Sequence, residues 1–222
     1  MPESFTREEL QLIAAQLRHP HGEHAQTVAQ SMQESNKTQV CRMYDRLPLK
    51  NGASVLEIGM ANAPHLAQLF KGYNNLRYLG FDYSSEMVEA AKSMNEKGFG
   101  DTTIDFQLGD LDALNFDPNS FDAICSSNTL YFWPNPAVNV KNLFTVLKPG
   151  GFLLLAFRTK AVMDEMPVTE FGFQKYWPQE AKKLMQNAGF VNISDEVLIE
   201  PDREVMGKNL KIDSCYLLGQ KI

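Results

Sequence analysis

The sequence contains little cysteine and no long apolar run. Its three cysteines, Cys41, Cys125 and Cys215, are odd in number, widely spaced and free of any C-x-x-C pair. This usage argues against a disulfide framework and predicts reduced, buried thiols in a cytoplasmic protein. No apolar stretch approaches the length of a membrane span or a signal peptide, so we expect neither.

Positive charge is also scarce. Lys and Arg number 21 against 27 Asp and Glu, the formal net charge is −6, and no basic run or stripe occurs. Because nucleic-acid binding depends on clustered cations, this composition disfavours a nucleic-acid partner and favours a small molecule. Three histidines lie within residues 19–24, but no cluster of cysteines or carboxylates supplies further ligands. We therefore expect a solvated turn there and no metal.

The strongest positive signal is a strand–helix–strand pattern in residues 53–82. An apolar run at 54–58 predicts a buried parallel strand, residues 63–70 have helical spacing, and a second apolar run ends in Asp82. In such a unit the loop after the first strand lies at the N-terminus of the helix, where free N–H groups meet a ligand. An acidic residue at the end of the second strand can accept hydrogen bonds from a ribose diol. The pattern predicts a nucleoside site.

The small residues of the first loop indicate which nucleoside. They fall at Gly59, Ala61 and Ala63 after Glu57, which gives E-x-G-x-A-x-A, whereas a dinucleotide loop has G-x-G-x-x-G. The frame resembles motif I of the Rossmann-like S-adenosylmethionine (SAM) methyltransferases, usually E/D-x-G-x-G-x-G. Three later parts resemble that family's ribose-binding segment, its adenine-contacting loop with the fourth strand, and the turn into its fifth strand: residues 80–84, 109–116 with 119–122, and 147–154.

The resemblance implies a fold and an activity. The fold is α/β, a doubly wound, mostly parallel seven-stranded sheet with an antiparallel C-terminal strand in residues 51–222, preceded by a helical lid in residues 1–50. The implied activity is methyl transfer from SAM to a carbon or oxygen of a small molecule, in a monomer or homodimer, as in the branch that includes ubiquinone/menaquinone-type methyltransferases. Two alternatives stay open. One is a cofactor-binding protein of this fold without transferase activity, and the other, disfavoured by the loop spacing and the helical extension, is a nicotinamide oxidoreductase.

The family's cofactor contacts transfer to matching positions of this sequence. By resemblance, Glu57 orients the first loop or reaches the methionine ammonium through water, Asp82 binds the ribose hydroxyls, and Asp110 accepts from the adenine amine. The alternative for each carboxylate is capping of nearby backbone N–H groups. The other expected cofactor residues are small, apolar, aromatic or polar: Gly59, Ala61, Ala63, Tyr83, Met87, Gly109, Leu111, Ser126 and Asn128.

The methyl acceptor is expected at the end of the fourth strand, beside residues 126–133. Methyl transfer depends on alignment and desolvation more than on a fixed base, so the sequence identifies a base poorly. We predict Tyr131 as the acid/base or orienting residue, His65 as the second candidate, and Arg158 as the partner of a substrate carboxylate. The alternative for each is a pocket wall. Further substrate contacts are predicted at Met32, Asn36 and Trp133.

Local patterns complete the expectations. A capping box that starts at Thr6 predicts a first helix, and residues 158–174, which lack a period, predict a loop that roofs a closed pocket together with the N-terminal helices. For Ala61 and Ala63 we expect φ below zero, because alanine is strained in the left-handed region. Further strands are predicted at 103–108, 121–125, 151–157, 190–199 and 213–219, and further helices at 85–95, 137–147 and 179–187.

Overall fold

Two helices precede the sheet. In the computed structural model, which describes residues 5–222, α1 spans Arg7–Arg18 and α2 spans Ala25–Tyr44, with a 3₁₀ turn at Gly22–His24 between them. The predicted capping box is present at the start of α1, where the Thr6 hydroxyl accepts from the Glu9 N–H and the Glu9 carboxylate accepts from the Thr6 N–H. The first four residues of the predicted lid lie outside the described residues.

The strands lie in two sheets within the described residues. Their bounds are β1 Ser54–Ile58, β2 Arg77–Asp82, β3 Thr103–Leu108, β4 Phe121–Ser127, β5 Leu147–Phe157, β6 Val191–Ile199, β7 Arg203–Val205, β8 Lys208–Leu210 and β9 Asp213–Gln220. The main sheet has the order β3-β2-β1-β4-β5-β9-β6. Strands β1 to β5 are parallel and β9 runs antiparallel to both of its neighbours, which confirms the predicted fold. The short β7–β8 ribbon was not predicted.

Five further helices cover the sheet in the part of the chain that is described. They are α3 Leu66–Phe70, α4 Ser85–Met94, α5 Pro136–Val146, α6 Lys160–Asp164 and α7 Pro178–Ala188. Helix α3 begins later than the predicted residue 63, because the turn after β1 extends into this stretch. Segment 158–174 is not the predicted loop, since it contains α6 and a 3₁₀ turn at Pro167–Glu170.

The core has one apolar layer on each face of the sheet. On one face Leu56 of β1 packs in a cluster with Leu143 of α5, and on the other face Val55 packs in a cluster with Met43 of α2. Successive side chains of a strand alternate between faces, so Glu57 points to the same side as Val55, toward α2. The sequence thus places one acidic side chain inside an apolar layer.

Left-handed backbone occurs three times in the turn after β1. Gly59 has φ 69°, Ala61 has φ 51° and Ala63 has φ 46°. The expectation of φ below zero at both alanines is therefore wrong. Glycine is needed at the first of these positions for a second reason as well, since a Cβ there would lie 2.2 Å from Cγ2 of Thr129.

Tertiary contacts hold both alanines in this conformation. The Ala61 N–H donates to Asp82 Oδ2 at 3.0 Å, and the Ala63 N–H donates to the Met60 carbonyl at 3.0 Å. The methyl of Ala63 is buried in the core, and Ala61 packs against a small cluster from α2 and α4, namely Ala25, Ala29 and Met87. These contacts offset a strain of about 1–2 kcal/mol for each alanine.

We expect Ala61→Gly to raise the free energy of unfolding by about 0.5–1 kcal/mol, because relief of the left-handed strain exceeds the loss of a half-buried methyl group. Denaturant titration measures the change. The control is Ala67→Gly at an exposed position of α3, which should lower stability by about 0.5–1 kcal/mol. Equal losses in the two variants would show that the turn is unstrained.

Candidate active site

A cleft lies at the carboxyl ends of β1 to β4, beneath α1 and α2. It contains about 1270 Å³ of space not filled by protein atoms, its open mouth included, which is ample for a nucleoside and a second small molecule. Fourteen of the predicted site residues line it: Met32, Asn36, Glu57, Gly59, Ala61, His65, Asp82, Tyr83, Met87, Gly109, Asp110, Leu111, Asn128 and Trp133. Four others, Ala63, Ser126, Tyr131 and Arg158, do not.

The roof of the cleft comes from the N-terminal helices alone. Leu17 and Arg18 of α1 and several residues of α2 line the cleft, whereas no residue of segment 158–174 does. That segment packs against α1 outside the cleft, with the Arg7 guanidinium 5.4 Å from the ring centre of Phe171. The prediction that residues 158–174 help to roof the pocket is therefore wrong.

Asp82 lies buried at the end of β2 and binds two backbone segments. Its Oδ2 accepts from the Ala61 N–H at 3.0 Å, and its Oδ1 accepts from the Ser84 N–H at 3.0 Å. Burial raises the pKa of the carboxyl group, although both N–H bonds act in the opposite direction. A carboxylate oxygen has two acceptor sites, so each oxygen can still accept from a ribose hydroxyl.

Gly109 and Asp110 form the neighbouring wall at the end of β3. A Cβ on Gly109 would lie 2.3 Å from Cζ of Phe81, so a larger residue there would displace the aromatic ring. Asp110 Oδ1 accepts from the Asp112 N–H at 2.9 Å, which starts a 3₁₀ turn at Leu111–Ala113. Asp82 and Asp110 thus both cap nearby backbone N–H groups, which was the alternative to cofactor binding. Both also line the cleft.

The turn between α1 and α2 is attached to the segment that follows Asp82. Tyr83 Oη donates to the Arg18 carbonyl, and the Tyr83 ring stacks on His19 with 4.4 Å between ring centres. Ser84 Oγ donates to the Pro20 carbonyl at 2.7 Å. The histidine-rich turn therefore closes the end of the cleft beside Asp82.

Glu57 is a buried acid between the sheet and α2. Tyr44 Oη and Tyr78 Oη each donate to Glu57 Oε2 at 2.7 Å, and Oε1 accepts no hydrogen bond within the described residues. Burial raises the pKa of the carboxyl group to about 7, although the two tyrosine hydroxyls favour the charged form. The sequence gives no sign that the hydroxyl of Tyr44 meets an acid.

His65 lines the opposite side of the cleft, between the first turn and α2. Its Nε2 lies 3.1 Å from the Gln33 carbonyl of α2. A carbonyl oxygen can only accept, so Nε2 carries the proton and Nδ1 keeps a lone pair in the neutral ring. The neutral ring therefore leaves Nδ1 as a hydrogen-bond acceptor.

Tyr131 and Arg158 are not placed to touch a ligand in the cleft. Tyr131 is 4% exposed, its hydroxyl accepts from the Arg158 N–H, and burial raises its pKa above the ordinary value. The Arg158 guanidinium is 6% exposed, pairs with Glu200 and donates to Ser214 Oγ at 2.6 Å. The predicted roles as a catalytic residue and as a carboxylate partner are contradicted by these positions.

Ser126 and Ala63 support the site from behind. Ser126 Oγ donates to the Ile58 carbonyl at 2.9 Å and also meets the Thr129 hydroxyl, so it links β4 to β1.

Within residues 5–222 no three or more His, Cys, Asp and Glu side chains are grouped so as to hold a metal ion. None of the helices in the described part of the chain is long and apolar enough to span a membrane.

We expect Glu57 to make the protein less stable as pH rises. Its pKa in the folded state, about 7, lies above the ordinary value of 4.5, so the folded state holds a proton that the unfolded state releases. This stabilisation is complete below pH 4.5 and is lost as pH rises through about 7. Glu57→Gln should therefore flatten the decline in unfolding free energy across this range.

Denaturant titrations at several pH values measure this effect. The control is Glu34→Gln, on the exposed face of α2, which should leave the pH profile unchanged. Parallel profiles for the native protein and Glu57→Gln would show that Glu57 titrates as an ordinary carboxyl group.

Comparisons with known proteins agree with this geometry. The family described as a methyltransferase domain matches residues 56–155. Phosphoethanolamine N-methyltransferase 1 of Triticum aestivum is 26% identical over 186 residues, which are 78% of this chain but 36% of that protein, so the chain spans about a third of its length. Demethylmenaquinone methyltransferase of Corynebacterium efficiens is 26% identical over 171 residues, 76% of this chain and 70% of that protein.

A solved structure shares the fold over nearly the whole chain. It is a chain in the complex between the Haloferax volcanii Trm112 methyltransferase activator and the putative methyltransferase, with a TM-score of 0.73 and 19% identity over 97% of this chain and 99% of that chain. The family match begins in β1 and ends in β5, and so covers the turn and both strand-end carboxylates described above. Residues 56–155 therefore match a methyltransferase domain family, within a mostly parallel seven-stranded sheet of Rossmann-like topology.

Proposed function

We propose that this protein transfers a methyl group from SAM to a small-molecule acceptor. The observation that carries the proposal is the pair of carboxylates, Asp82 and Asp110, at the ends of adjacent parallel strands on one side of the cleft. They match the family's ribose and adenine positions. The relatives' names, which refer to phosphoethanolamine and demethylmenaquinone, support a small acceptor.

The residues present fit the cofactor. Asp82 keeps acceptor capacity for a ribose diol, and Gly109 leaves room beside the Phe81 ring. Glu57 lines the cleft with Oε1 unpartnered among the described residues, so it can accept from the methionine ammonium directly or through water. When bound, SAM supplies a methyl group on a sulfonium, which is a good leaving group.

We also propose that residues 1–50 act as a lid on the domain of residues 51–222. Two observations support this division. The turn between α1 and α2 is tied to Tyr83 and Ser84, and Tyr44 of α2 is tied to Glu57. A lid in this place would exclude water from the acceptor and the methyl group, which strengthens every electrostatic interaction between them.

His65 is proposed as the general base. Its Nε2 is oriented by the Gln33 carbonyl, and Nδ1 can accept the proton of an acceptor hydroxyl.

The thiols support a cytoplasmic location, because Cys41, Cys125 and Cys215 are free and the last two are buried. A monomer or homodimer stays a prediction.

A second candidate is a SAM-binding protein of the same fold without transferase activity. The left-handed alanines favour it, because the family usually has glycine at both positions. Calorimetric titration with SAM, S-adenosylhomocysteine (SAH) and NAD, followed by an assay for SAH formation with a panel of small hydroxylated molecules, separates the two. SAM binding without SAH formation from any acceptor would favour the second candidate, and preference for NAD would contradict both.

Asp82→Ala should weaken SAM binding by about 1–3 kcal/mol, because the ribose diol loses a charged acceptor. Asp82→Asn should lose less, since one acceptor oxygen remains. Calorimetry measures both, with Asp105→Ala as the control, an exposed acid on neighbouring β3 outside the cleft. Near-native affinity in Asp82→Ala would remove the ribose assignment.

His65→Ala should lower kcat about 100-fold or more for the best acceptor of the panel, because proton removal loses its base. The dissociation constant for SAH should change little. His24→Ala, an exposed histidine of the 3₁₀ turn, is the control. An unchanged kcat in His65→Ala would show that alignment alone drives the transfer.

A further inference from the structure

A directed chain of hydrogen bonds runs from the backbone at Arg158 to the cleft. The Arg158 N–H donates to Tyr131 Oη, which in turn donates to Asn128 Oδ1 at 3.0 Å, nearer than its other acceptor, the Arg158 carbonyl at 3.4 Å. Asn128 Nδ2 then donates to Asn36 Oδ1 at 3.0 Å and to Gln39 Oε1 at 2.5 Å. The tyrosine hydroxyl has one proton, and Asn128 Oδ1 is the nearer of its two acceptors, so this bond sets the direction of the amide bonds that follow.

This direction leaves an N–H donor at the cleft. Because Asn36 Oδ1 accepts from Asn128, the Nδ2 group of Asn36 has no partner among the described residues, and Asn36 lines the cleft. Gln39 is oriented in the same way, and its fully buried Nε2 has no partner in the described chain either. A buried donor without a partner is destabilising. The orientation of both amides is therefore imposed by Tyr131 and Asn128, since α2 itself gains nothing from it.

A hydrogen-bond acceptor lies beside this donor. Nε2 of His65 donates to the Gln33 carbonyl, which leaves Nδ1 free to accept. In a helix a side chain lies beside the carbonyl oxygen three positions earlier, so the His65 ring at the Gln33 carbonyl is on the side of α2 that carries Asn36. Adjacent positions of the cleft thus offer one donor, Asn36 Nδ2, and one acceptor, His65 Nδ1.

Uncharged surfaces surround this pair. We define the acceptor half of the cleft as its lining residues from α2 and from residues 127–134, together with His65. Among these described residues there is no Lys or Arg, and half of them are apolar or aromatic: Met32, Val40, Tyr44, Phe132, Trp133 and Pro134. Ser127 Oγ, which is buried without a partner among the described residues, adds a neutral hydrogen-bonding group. An anion would lose its hydration here without gaining a counter-charge, whereas a flat neutral molecule would pack against the rings.

We propose that the methyl acceptor is an uncharged, flat molecule with a hydroxyl group next to a second oxygen, as in a hydroxyketone or a vicinal diphenol. This inference rests on the proposed function. The hydroxyl donates to His65 Nδ1, and the neighbouring oxygen accepts from Asn36 Nδ2. The hydroxyl oxygen forms a bond to the methyl carbon, the bond from that carbon to the sulfonium sulfur breaks with its electron pair left on sulfur, and the hydroxyl proton passes to His65 Nδ1. Tyr131 is a positioning residue, because it acts on the acceptor only through Asn128 and Asn36.

Two isomers test whether the adjacency of the two oxygens matters. In 2-hydroxyphenol, the 2-isomer, the two hydroxyl groups are neighbours, and in 4-hydroxyphenol, the 4-isomer, the same groups are apart. Calorimetric titration of each isomer into the complex of the native protein with SAH measures binding without turnover. We expect the 2-isomer to bind about threefold to tenfold more tightly than the 4-isomer, and 2-hydroxyphenyl phosphate to bind more weakly than either.

Tyr131→Phe tests the positioning role. Without the hydroxyl, the Asn128 amide loses its fixed direction, so the preference for the 2-isomer should disappear while SAH affinity is unchanged. Tyr176→Phe is the matched control, because Tyr176 is also buried and its Oη has no partner among the described residues. Asn36→Asp, which replaces the donor by an acceptor of the same shape, should also abolish the preference, whereas Gln30→Glu on the exposed face of α2 should not.

SAH titration of the native protein separates this inference from the proposed function. If SAH does not bind, both are wrong. If SAH binds but the two isomers bind equally, or neither binds at millimolar concentration, the inference is wrong and the proposed function stands. Tighter binding of the phosphate than of the isomers, or a preference that persists in Tyr131→Phe, also overturns the inference.

Discussion

The carboxylate of Asp82 holds the two backbone segments between which a ribose would lie. One oxygen accepts from the turn after β1, and the other accepts from the residue that caps α4. Both bonds are made in a buried place where a charged group loses its hydration, so the N–H groups compensate for part of that loss. The turn, the start of α4 and the mouth of the cleft between them all depend on this one acid.

Helix α2 connects the remaining parts of the site. Its Gln33 carbonyl orients His65, its Asn36 amide accepts from Asn128, and its Tyr44 hydroxyl donates to Glu57. A displacement of this helix would therefore change the proton acceptor, the amide donor and the buried acid together.

The sheet could be predicted from the sequence, whereas several side-chain directions could not. Strand β1 was predicted correctly because a short apolar run that ends at a turn residue is typical of a buried parallel strand. The conformation of Ala61 was predicted wrongly because alanine's own preference is overridden by a hydrogen bond to a residue in the next strand. Tyr131 follows a strand end, where the turn decides which way a side chain points. Arg158 pairs with Glu200, a partner that no local pattern indicates.

The strained turn weighs in favour of a functional site. Strain persists where the surrounding structure fixes it, and here a hydrogen bond and a packed methyl group hold Ala61 and Ala63 alike. The extra methyl groups meet the core and the lid helix, so they are accommodated while the N–H of Ala61 still points at Asp82. Asp82 and Glu57 accept from backbone N–H groups and tyrosine hydroxyls, but both also line the cleft, and Glu57 Oε1 accepts no bond within the described residues. An acceptor oxygen that faces the cleft beside a strained turn is what binding of a cofactor explains and what packing alone does not.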